Sequence, residues 1–230
     1  IFKTDDPDII FKVRNVLRLS HGDRILIADG YGKEYIAELD LLKRDIIGGV
    51  IKEEIESESK LSGPSITLAQ ALTQSKKLDL ILRMNTEIGV EEFIFFESDH
   101  SKVKLKHIKE SKLDRWEKVT REASRQSERL YAPTLKDATE FSALFEDTDA
   151  THILFLDSKQ HDETKPLSSI VKDFTEKDRI LVIIGPEGGF SERETTIALQ
   201  SQGKFIHLPL PIMRTETAGL VVSSFIKLYK

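Results

Sequence analysis

The sequence predicts an α/β protein in which a doubly wound, parallel-stranded domain follows a small strand-rich module. Apolar runs such as 152–157 and 180–184 are continuous rather than alternating, which is typical of parallel strands covered by helices on both faces. Segments with helical periodicity lie between these runs, so strands and helices alternate along the chain. Ligands of such domains bind at the carboxyl ends of the strands, and we expect the functional site there.

The first 62 residues form the predicted strand-rich module. Its expected elements are a helix and three short strands, at 9–19, 24–28, 34–39 and 45–52. Glycine and aspartate turns separate the strands, and this regular spacing favours a small barrel. The acidic, serine-rich run 52–63 indicates a linker, so we expect the second domain to span residues 63–230.

The second domain is predicted to alternate strands with helices to its end. Its expected strands are 65–72, 92–96, 152–157, 180–184 and 205–208. Its expected helices are 77–88, 113–130, one that opens at Pro166, 191–202 and 217–229. Gly89 and Gly203 stand where glycine commonly ends a helix, and apolar residues recur at helical spacing within the longer segments.

Composition excludes several classes of site. The 230 residues include no cysteine, so disulfides, thiolate nucleophiles and cysteine zinc sites are excluded. The six histidines are scattered without the i, i+4 pair of a helix-borne metal site, and we expect no metal. No apolar run is long enough to span a bilayer and no signal-like segment is visible, so we expect a cytoplasmic protein with no membrane partner.

Positive charge is concentrated in one segment of an acidic chain. Residues 101–129 hold ten lysines and arginines against five aspartates and glutamates, which makes the segment +5. Because the whole chain carries −5, the remainder carries −10. Such a basic island favours a defined RNA contact over nonspecific coating of nucleic acid. A solvated helix face laced with ion pairs accounts for the same charges.

Two loops after successive predicted strands form the candidate site. The first lies in IIGPEGGFSERE (183–194), where an apolar run ends in a glycine turn and a capping box opens a helix. Its glycine spacing matches neither the dinucleotide-binding nor the P-loop motif. The second lies in LPLPIMRTETA (208–218). Two such loops side by side suit an adenosine-type ligand held through backbone groups, with apolar walls from Leu208, Ile212 and Met213.

These two motifs resemble those of the SPOUT methyltransferase superfamily and, more narrowly, those of the RsmE family of 16S ribosomal RNA uridine N3-methyltransferases. Four upstream segments share the resemblance: VLRL at 16–19, QAL with K..K.DLI at 70–81, TEIGV at 86–90, and RW...REASRQSERLYAP at 115–133. Together the segments span nearly the whole chain in the family's order.

The resemblance implies a PUA-like β-barrel at 1–62 and a SPOUT-type α/β domain at 63–230 with a deep trefoil knot at about 152–220. It also implies a homodimer with the cofactor, S-adenosylmethionine, in the knotted loops near the subunit interface. The residues that carry over to the cofactor site are Leu156, Ile184, Gly185, Pro186, Glu187, Gly188, Gly189, Leu208, Leu210, Ile212, Met213, Thr217 and Ala218.

The chemistry that the resemblance implies needs two functional groups besides the cofactor. Methyl transfer to a ring nitrogen is an in-line displacement, so the protein mainly positions the two partners. The N3 proton of uridine must leave, and Glu216 is the first candidate base, with Glu187 the second. Arg214 would stabilise negative charge on the uracil carbonyl oxygens. The alternative roles are an ion pair with Arg214 for Glu216 and support of the glycine turn for Glu187.

Five arginines are the expected contacts to the backbone of the partner, 16S ribosomal RNA in the small ribosomal subunit. They are Arg14 and Arg18 in the first module and Arg121, Arg125 and Arg129 on the long predicted helix. Surface charge without a phosphate partner is the alternative for Arg14 and Arg18.

Two residues depart from the family pattern, and the first is Met84, which stands where relatives often carry lysine. Pro209 stands where relatives usually have glycine, and proline lacks the N–H that could bind the cofactor. We expect the amides of Leu210 and Met213 to remain available. Because the N–H lost at Pro209 could reduce the affinity for the cofactor, one alternative is a noncatalytic RNA-binding ribosome assembly factor. A SPOUT enzyme that methylates a ribose 2′-OH or transfer RNA is the other alternative.

Overall fold

The computed structural model of the chain divides into two compact units. The described residues are 1–55, 63–146, 148–157, 159, 161 and 164–229. One unit contains the described part of residues 1–60 together with 129–131, and the other contains the rest. Of the predicted linker 52–63, residues 56–62 lie outside the described residues, and the predicted end of the first domain at residue 62 lies among them.

Strands and helices are numbered in chain order. The strands are β1 (Phe2–Thr4), β2 (Arg24–Ala28), β3 (Glu34–Leu42), β4 (Ile47–Ile55), β5 (Ser65–Ala71), β6 (Glu92–Glu97), β7 (Thr134–Leu135), β8 (Thr139–Glu140), β9 (His152–Leu156), β10 (Lys165–Pro166), β11 (Arg179–Ile184) and β12 (Lys204–His207). The α-helices are α1 (Pro7–Phe11), α2 (Ser75–Glu87), α3 (Glu110–Gln126), α4 (Leu167–Val171), α5 (Glu192–Gln200) and α6 (Thr215–Leu228).

The first unit is an antiparallel sheet with one helical segment against it. Its strand order is β1-β4-β3-β2, and two register shifts interrupt the pairing of β3 with β4. Helix α1 begins at the cap residue Asp6 and continues as a π-helical turn at Lys12–Val16. Its buried Ile10 and Val13 pack with Leu39 of β3 and Ile47 of β4, so helix and sheet share one small core.

The second unit is built on a parallel sheet, as the sequence predicts. The strand order is β10-β12-β9-β11-β5-β6-β7, and β8 also pairs with β6. Every pair in this sheet is parallel. The prediction of a mixed α/β fold with a parallel sheet is confirmed.

Both faces of the sheet are covered, which explains the continuous apolar runs. In β11, Ile180, Val182 and Ile184 join the core cluster that also receives side chains from α2, α3 and α6. The intervening Leu181 and Ile183 join the cluster on the other face, which includes a residue of α5. Successive side chains of such a strand point to opposite faces, and because both faces are buried, all of these residues are apolar.

Some element boundaries differ from the prediction. Helix α3 ends at Gln126, before the predicted residue 130, because Glu128 adopts a left-handed backbone with φ +56° that a helix cannot continue through. The short strands β1, β7, β8 and β10 are absent from the prediction, since two or three residues carry no periodicity to detect. No helix in the described part of the chain has both the length and the apolarity of a membrane span.

The cluster on the α5 face is rich in aromatic rings around Phe155 of β9. This side chain is fully buried, and its ring centroid lies 5.4 Å from that of Phe205 and 5.9 Å from that of Phe190. Phe141 and Phe145 complete the group at 6.3 and 6.0 Å. These separations are within the range of favourable aromatic pairs.

We predict that Phe155→Ala lowers the free energy of unfolding by about 3–5 kcal/mol, because it removes a buried ring and leaves a cavity. Urea denaturation with fluorescence detection measures the change. The control is Leu199→Ala on α5, whose side chain is 51% exposed and whose loss should cost less than about 1 kcal/mol. Equal losses in the two variants would contradict the packing role.

Candidate functional site

Two loops at the carboxyl edge of the parallel sheet enclose a cavity of about 410 Å³. One loop follows β11 and the other follows β12. The cavity is lined by twelve of the predicted residues: Leu156, Ile184, Gly185, Pro186, Glu187, Gly189, Leu208, Leu210, Ile212, Met213, Arg214 and Ala218. Gly188, Glu216 and Thr217 are not among the lining residues. The two loops expected to form one site therefore do meet.

Six further lining residues were not selected from the sequence. They are Lys77, Asp157, Phe190, His207, Pro211 and Thr215. Asp157 directly follows β9, so a strand's carboxyl end supplies it as the fold class predicts. Lys77 lies in the first turn of α2, and its only sequence signal is the family-like run at 70–81.

The glycine turn after β11 is closed by its own backbone. The N–H of Gly189 donates to the carbonyl of Pro186 at 2.9 Å, and Gly189 has a φ of +71° that favours glycine. The predicted capping box is present, with the Ser191 hydroxyl accepting from the Glu194 amide and the Glu194 carboxylate accepting from the Ser191 amide. The turn is thus fixed at both ends.

The segment after β6 braces this turn from outside the cavity. His100 Nδ1 lies 3.0 Å from the carbonyl oxygen of Gly189, and a Cβ added to Gly188 would lie 3.1 Å from the Cβ of His100. Asp99 accepts hydrogen bonds from the side chains of Arg193 and Ser191, and these bonds hold its pKa below the usual range. Gly188 therefore faces this brace.

A buried hydroxyl joins the two loops. Thr215, the first residue of α6, accepts a hydrogen bond from the side-chain amide of Gln70 at 2.8 Å. The same hydroxyl donates to the carbonyl of Gly185 at 3.1 Å. Because Gln70 belongs to β5, this relay ties the start of α6 and the glycine turn to the middle of the sheet.

Lys77 connects the two candidate bases. Its ammonium donates to Glu187 at 2.6 Å and lies 3.5 Å from Oε2 of Glu216. The hydrogen bond from Lys77 holds the pKa of Glu187 below its usual range, and the same bond raises the pKa of Lys77. Oε2 of Glu216 is buried and accepts no hydrogen bond within the described residues. The two carboxylates therefore have different surroundings.

Arg214 lies at the mouth of the cavity with its side chain 84% exposed. Its guanidinium is 4.0 Å from Oε1 of Glu216, at the outer limit of an ion pair. Thr217 is exposed, and its hydroxyl donates to the carbonyl of Arg214 at the start of α6. The guanidinium of Arg214 is thus largely exposed to solvent. The hydroxyl of Thr217 stabilises the amino end of α6.

The second loop makes a tight turn at Pro209. The amide of Leu210 donates to the carbonyl of Leu208 at 2.8 Å, across the proline. The expectation that the Leu210 amide stays available is therefore wrong. The amide of Met213 makes no hydrogen bond within the described residues, so it remains a possible donor toward the cavity.

The arginines expected to bind RNA lie outside this cavity. Arg14 donates to the carbonyl of Leu42 at 2.6 Å and, with the exposed Arg18, lines a shallow cavity of about 340 Å³ in the first unit. On α3, Arg121 pairs with a glutamate one turn before it at 3.1 Å, and Arg125 also pairs with a glutamate of the same helix. The assignment of RNA contact to these residues and to Arg129 stays a prediction. In the described part of the chain no three histidine, aspartate or glutamate side chains group as a metal site would.

We predict that Lys77→Met raises the pKa of Glu187 toward its ordinary value of 4.5, because the variant removes the ammonium that stabilises the carboxylate. Carboxyl-detected NMR titration measures this shift. Lys76→Met is the control, since Lys76 is the exposed neighbour of Lys77 and should leave the titration unchanged.

The same change has a pH-dependent effect on stability. A carboxylate with a lowered folded-state pKa stabilises the protein above its unfolded pKa, and this contribution is lost as the pH falls through the folded-state pKa. The difference in unfolding free energy between wild type and Lys77→Met should therefore be largest near neutral pH and shrink below about pH 4.5. A difference that stays constant on acidification would contradict the ion pair.

Comparison with known proteins agrees with this arrangement. A family model described as an RNA methyltransferase domain matches residues 60–227. The ribosomal RNA small subunit methyltransferase E of Bacillus subtilis (strain 168) is 31% identical over 221 residues, which cover 94% of this chain and 86% of that protein.

Two solved structures extend the similarity to the fold. A probable rRNA-methyltransferase from Porphyromonas gingivalis has a TM-score of 0.81 and 30% identity, over 97% of this chain and 90% of that one. The ribosomal RNA small subunit methyltransferase E from Neisseria gonorrhoeae, bound to S-adenosyl methionine, has a TM-score of 0.80 and 26% identity, over 99% of this chain and 92% of that one. The resemblance predicted from the motifs is confirmed, and the chain belongs to the ribosomal RNA small subunit methyltransferase E family of RNA methyltransferases.

Proposed function

We propose that this protein transfers the methyl group of S-adenosylmethionine to N3 of a uridine in 16S ribosomal RNA of the small ribosomal subunit. The observation that carries the proposal is the cavity formed by the glycine turn and the second loop, in a chain that belongs to this family. The proposed cofactor fits the residues present. A volume of about 410 Å³ lies within the range of small-molecule sites, and apolar side chains with the amide of Met213 line it.

In the proposed reaction, different residues position the uracil, accept the N3 proton and stabilise negative charge. S-adenosylmethionine, when bound, supplies an electrophilic methyl carbon on a sulfonium. The chain has to hold the uracil ring so that N3 faces this carbon, and to accept the N3 proton when the N–C bond forms. Arg214 stabilises the negative charge that develops on the uracil carbonyl oxygens. Its 84% exposed guanidinium at the cavity mouth is in reach of an incoming base.

Glu216 is the better candidate for the proton acceptor. Glu187 is held ionised by Lys77, and a carboxylate with a lowered pKa is a weaker base. The Lys77 ammonium lies 3.5 Å from Oε2 of Glu216 but 2.6 Å from Glu187, so Oε2 of Glu216 is the less strongly held oxygen and would receive the N3 proton. The residue follows Thr215, which lines the cavity, although Glu216 itself is not part of the lining.

The fold features implied by the family belong to the same proposal. We propose a trefoil knot at about 152–220. Helix α6 packs on β11 and β5, whereas β12, which precedes it, lies on the far side of β9. The connecting loop must therefore cross the carboxyl edge of the sheet, as a knotted chain would. For residues 1–62 we propose a PUA-like barrel, supported by an antiparallel sheet whose register shifts bend its strands.

We further propose a homodimer with its interface at the second loop. Ile212 is 88% exposed and Leu210 is 52% exposed, and apolar side chains at that exposure gain free energy from a covering partner. We place residues 63–230 in the methyltransferase domain, in agreement with a family match that begins at residue 60. A substrate in the small ribosomal subunit would place the protein in the cytoplasm.

Two experiments separate the proposal from its alternatives. Calorimetric titration with S-adenosylmethionine tests the noncatalytic assembly-factor alternative, and an absence of binding would reject both methyltransferase functions. Nucleoside analysis of small-subunit RNA after methylation in vitro tests the reaction. The product expected is N3-methyluridine, whereas a ribose-methylated nucleoside or methylation of transfer RNA alone would reject the proposal.

We predict that Arg214→Ala lowers kcat by about 10²- to 10³-fold, the size of effect found when a donor that stabilises transition-state charge is removed. The dissociation constant of S-adenosylmethionine should change less than about threefold, because the guanidinium acts on the uracil rather than on the cofactor. Arg179→Ala, at the amino end of β11 and so opposite the cavity, is the matched control. Equal losses of kcat and cofactor affinity in Arg214→Ala would identify Arg214 as a binding residue instead.

A further inference from the structure

The positive charge of the basic island (residues 101–129) is concentrated in residues 102–109. Residues 102–109 read KVKLKHIK, with four lysines and no acidic residue, which is a net charge of +4. Residues 110–129, which include α3, hold six lysines and arginines and five acidic residues, which is a net charge of +1. Helix α3, which carries Arg121 and Arg125, is therefore close to neutral.

The segment 102–109 presents its lysines outward from an anchored backbone. Val103, Leu105 and Ile108 are partly buried against the core of the second unit. The amide of Leu105 donates to the Glu97 carboxylate at 2.7 Å, and Leu105–His107 forms one 3₁₀ turn. Because Val103, Leu105 and Ile108 pack against the core, the neighbouring lysines Lys102, Lys106 and Lys109 lie on the surface.

Three of these lysines have no counter-charge in contact. Lys102, Lys106 and Lys109 are exposed and make no ion pair within the described residues. Lys104 differs, since it pairs with Glu97 at 3.2 Å. The arginines of α3 contrast with these three, because Arg121 pairs with a glutamate of its own helix. A basic side chain that already forms an ion pair gains less free energy from binding a phosphate than a basic side chain without an ion pair.

The segment also begins beside the cavity. His100, two residues before Lys102, lies 3.0 Å from the Gly189 carbonyl in the glycine turn. The charge of Lys102 acts on Glu187 of that turn, where it adds to the main effect of Lys77 in lowering the pKa of Glu187. A polyanion bound along the lysines would therefore have one end beside the glycine turn that lines the cavity.

We propose that Lys102, Lys106 and Lys109 form a cationic rim that binds the phosphates of the RNA substrate and directs the target strand to the cavity. This inference rests on the proposed function, and it assigns the RNA contact on this domain to the segment before α3 rather than to Arg121 and Arg125. Phosphate contacts position a nucleic acid without reading its sequence. The rim therefore orients the strand, and the cavity selects the base.

The test compares two triple variants with the same loss of charge. The rim variant is Lys102→Gln, Lys106→Gln and Lys109→Gln. The control variant is Lys172→Gln, Lys177→Gln and Lys204→Gln. These exposed lysines lie on the connection leading to β11 and at the start of β12, and none of them lines the cavity. Both are measured as full-length proteins against an unmodified small-subunit ribosomal RNA transcript, by fluorescence anisotropy from about 50 to 200 mM salt.

The rim variant should bind the transcript at least about tenfold more weakly at 100 mM salt, and its slope of log K against log salt should shrink by about 2 to 3. The control variant should change affinity less than about twofold, because its lysines lie away from the strand. In methyl-transfer assays the rim variant should raise KM for RNA and leave kcat at saturating RNA unchanged. The dissociation constant of S-adenosylmethionine should be unaltered in both variants.

Other outcomes would overturn the inference. Equal weakening in the two triple variants would show that only the net charge matters. A larger loss in a variant with Arg121→Gln and Arg125→Gln would move the contact to α3. Competition by polyglutamate as strong as that by RNA would identify an acidic protein as the partner. Failure of the proposed function is distinguishable, since wild type would then not bind S-adenosylmethionine or would not yield N3-methyluridine.

Discussion

One buried hydroxyl group, that of Thr215, joins the two loops of the cavity to strand β5 of the sheet. It takes a hydrogen bond from β5 through Gln70 and gives one to the glycine turn at Gly185. Because the group is buried, losing either partner would leave a polar atom without compensation at a cost of about 1–3 kcal/mol. The end of the second loop, where α6 begins, is therefore positioned by the sheet.

Electrostatics then gives the neighbouring carboxylates different characters. Lys77 lies between Glu187 and Glu216 but is closer to Glu187, at 2.6 Å against 3.5 Å from its ammonium to Glu216. An ammonium placed unequally lowers the pKa of Glu187 and stabilises its carboxylate, whereas its contact with Glu216 is longer. Under the proposed mechanism the two roles differ because of position, since the two side chains are of the same residue type.

The sequence was a good guide to the fold wherever burial imposes a pattern. Strand β11 was predictable because both of its faces are covered, and α5 because Ser191 and Glu194 form a capping box. The end of α3 was not predictable, since the left-handed backbone of Glu128 belongs to a residue type that seldom adopts it.

At the site, the loops were predictable and their partners were not. The glycine turn and the second loop carry distinctive motifs, so their residues could be named from the sequence. Lys77 is 110 residues before Glu187, and only the packing of α2 at the sheet edge brings the two together. The amide of Leu210 illustrates a second limit, because a hydrogen bond across a proline depends on the backbone angles of the folded loop.

The turn at Pro209 has a thermodynamic consequence for the loop that contains it. Proline at 209 and again at 211 restricts φ at two positions and removes conformations from the free chain. The hydrogen bond from Leu210 to Leu208 restricts the loop further. Because the free loop is already restricted, a ligand that binds to it costs less loop conformational entropy than a ligand that binds to a glycine-containing loop. Proline at position 209 thus removes one backbone N–H donor and makes the loop that lines the cavity more rigid.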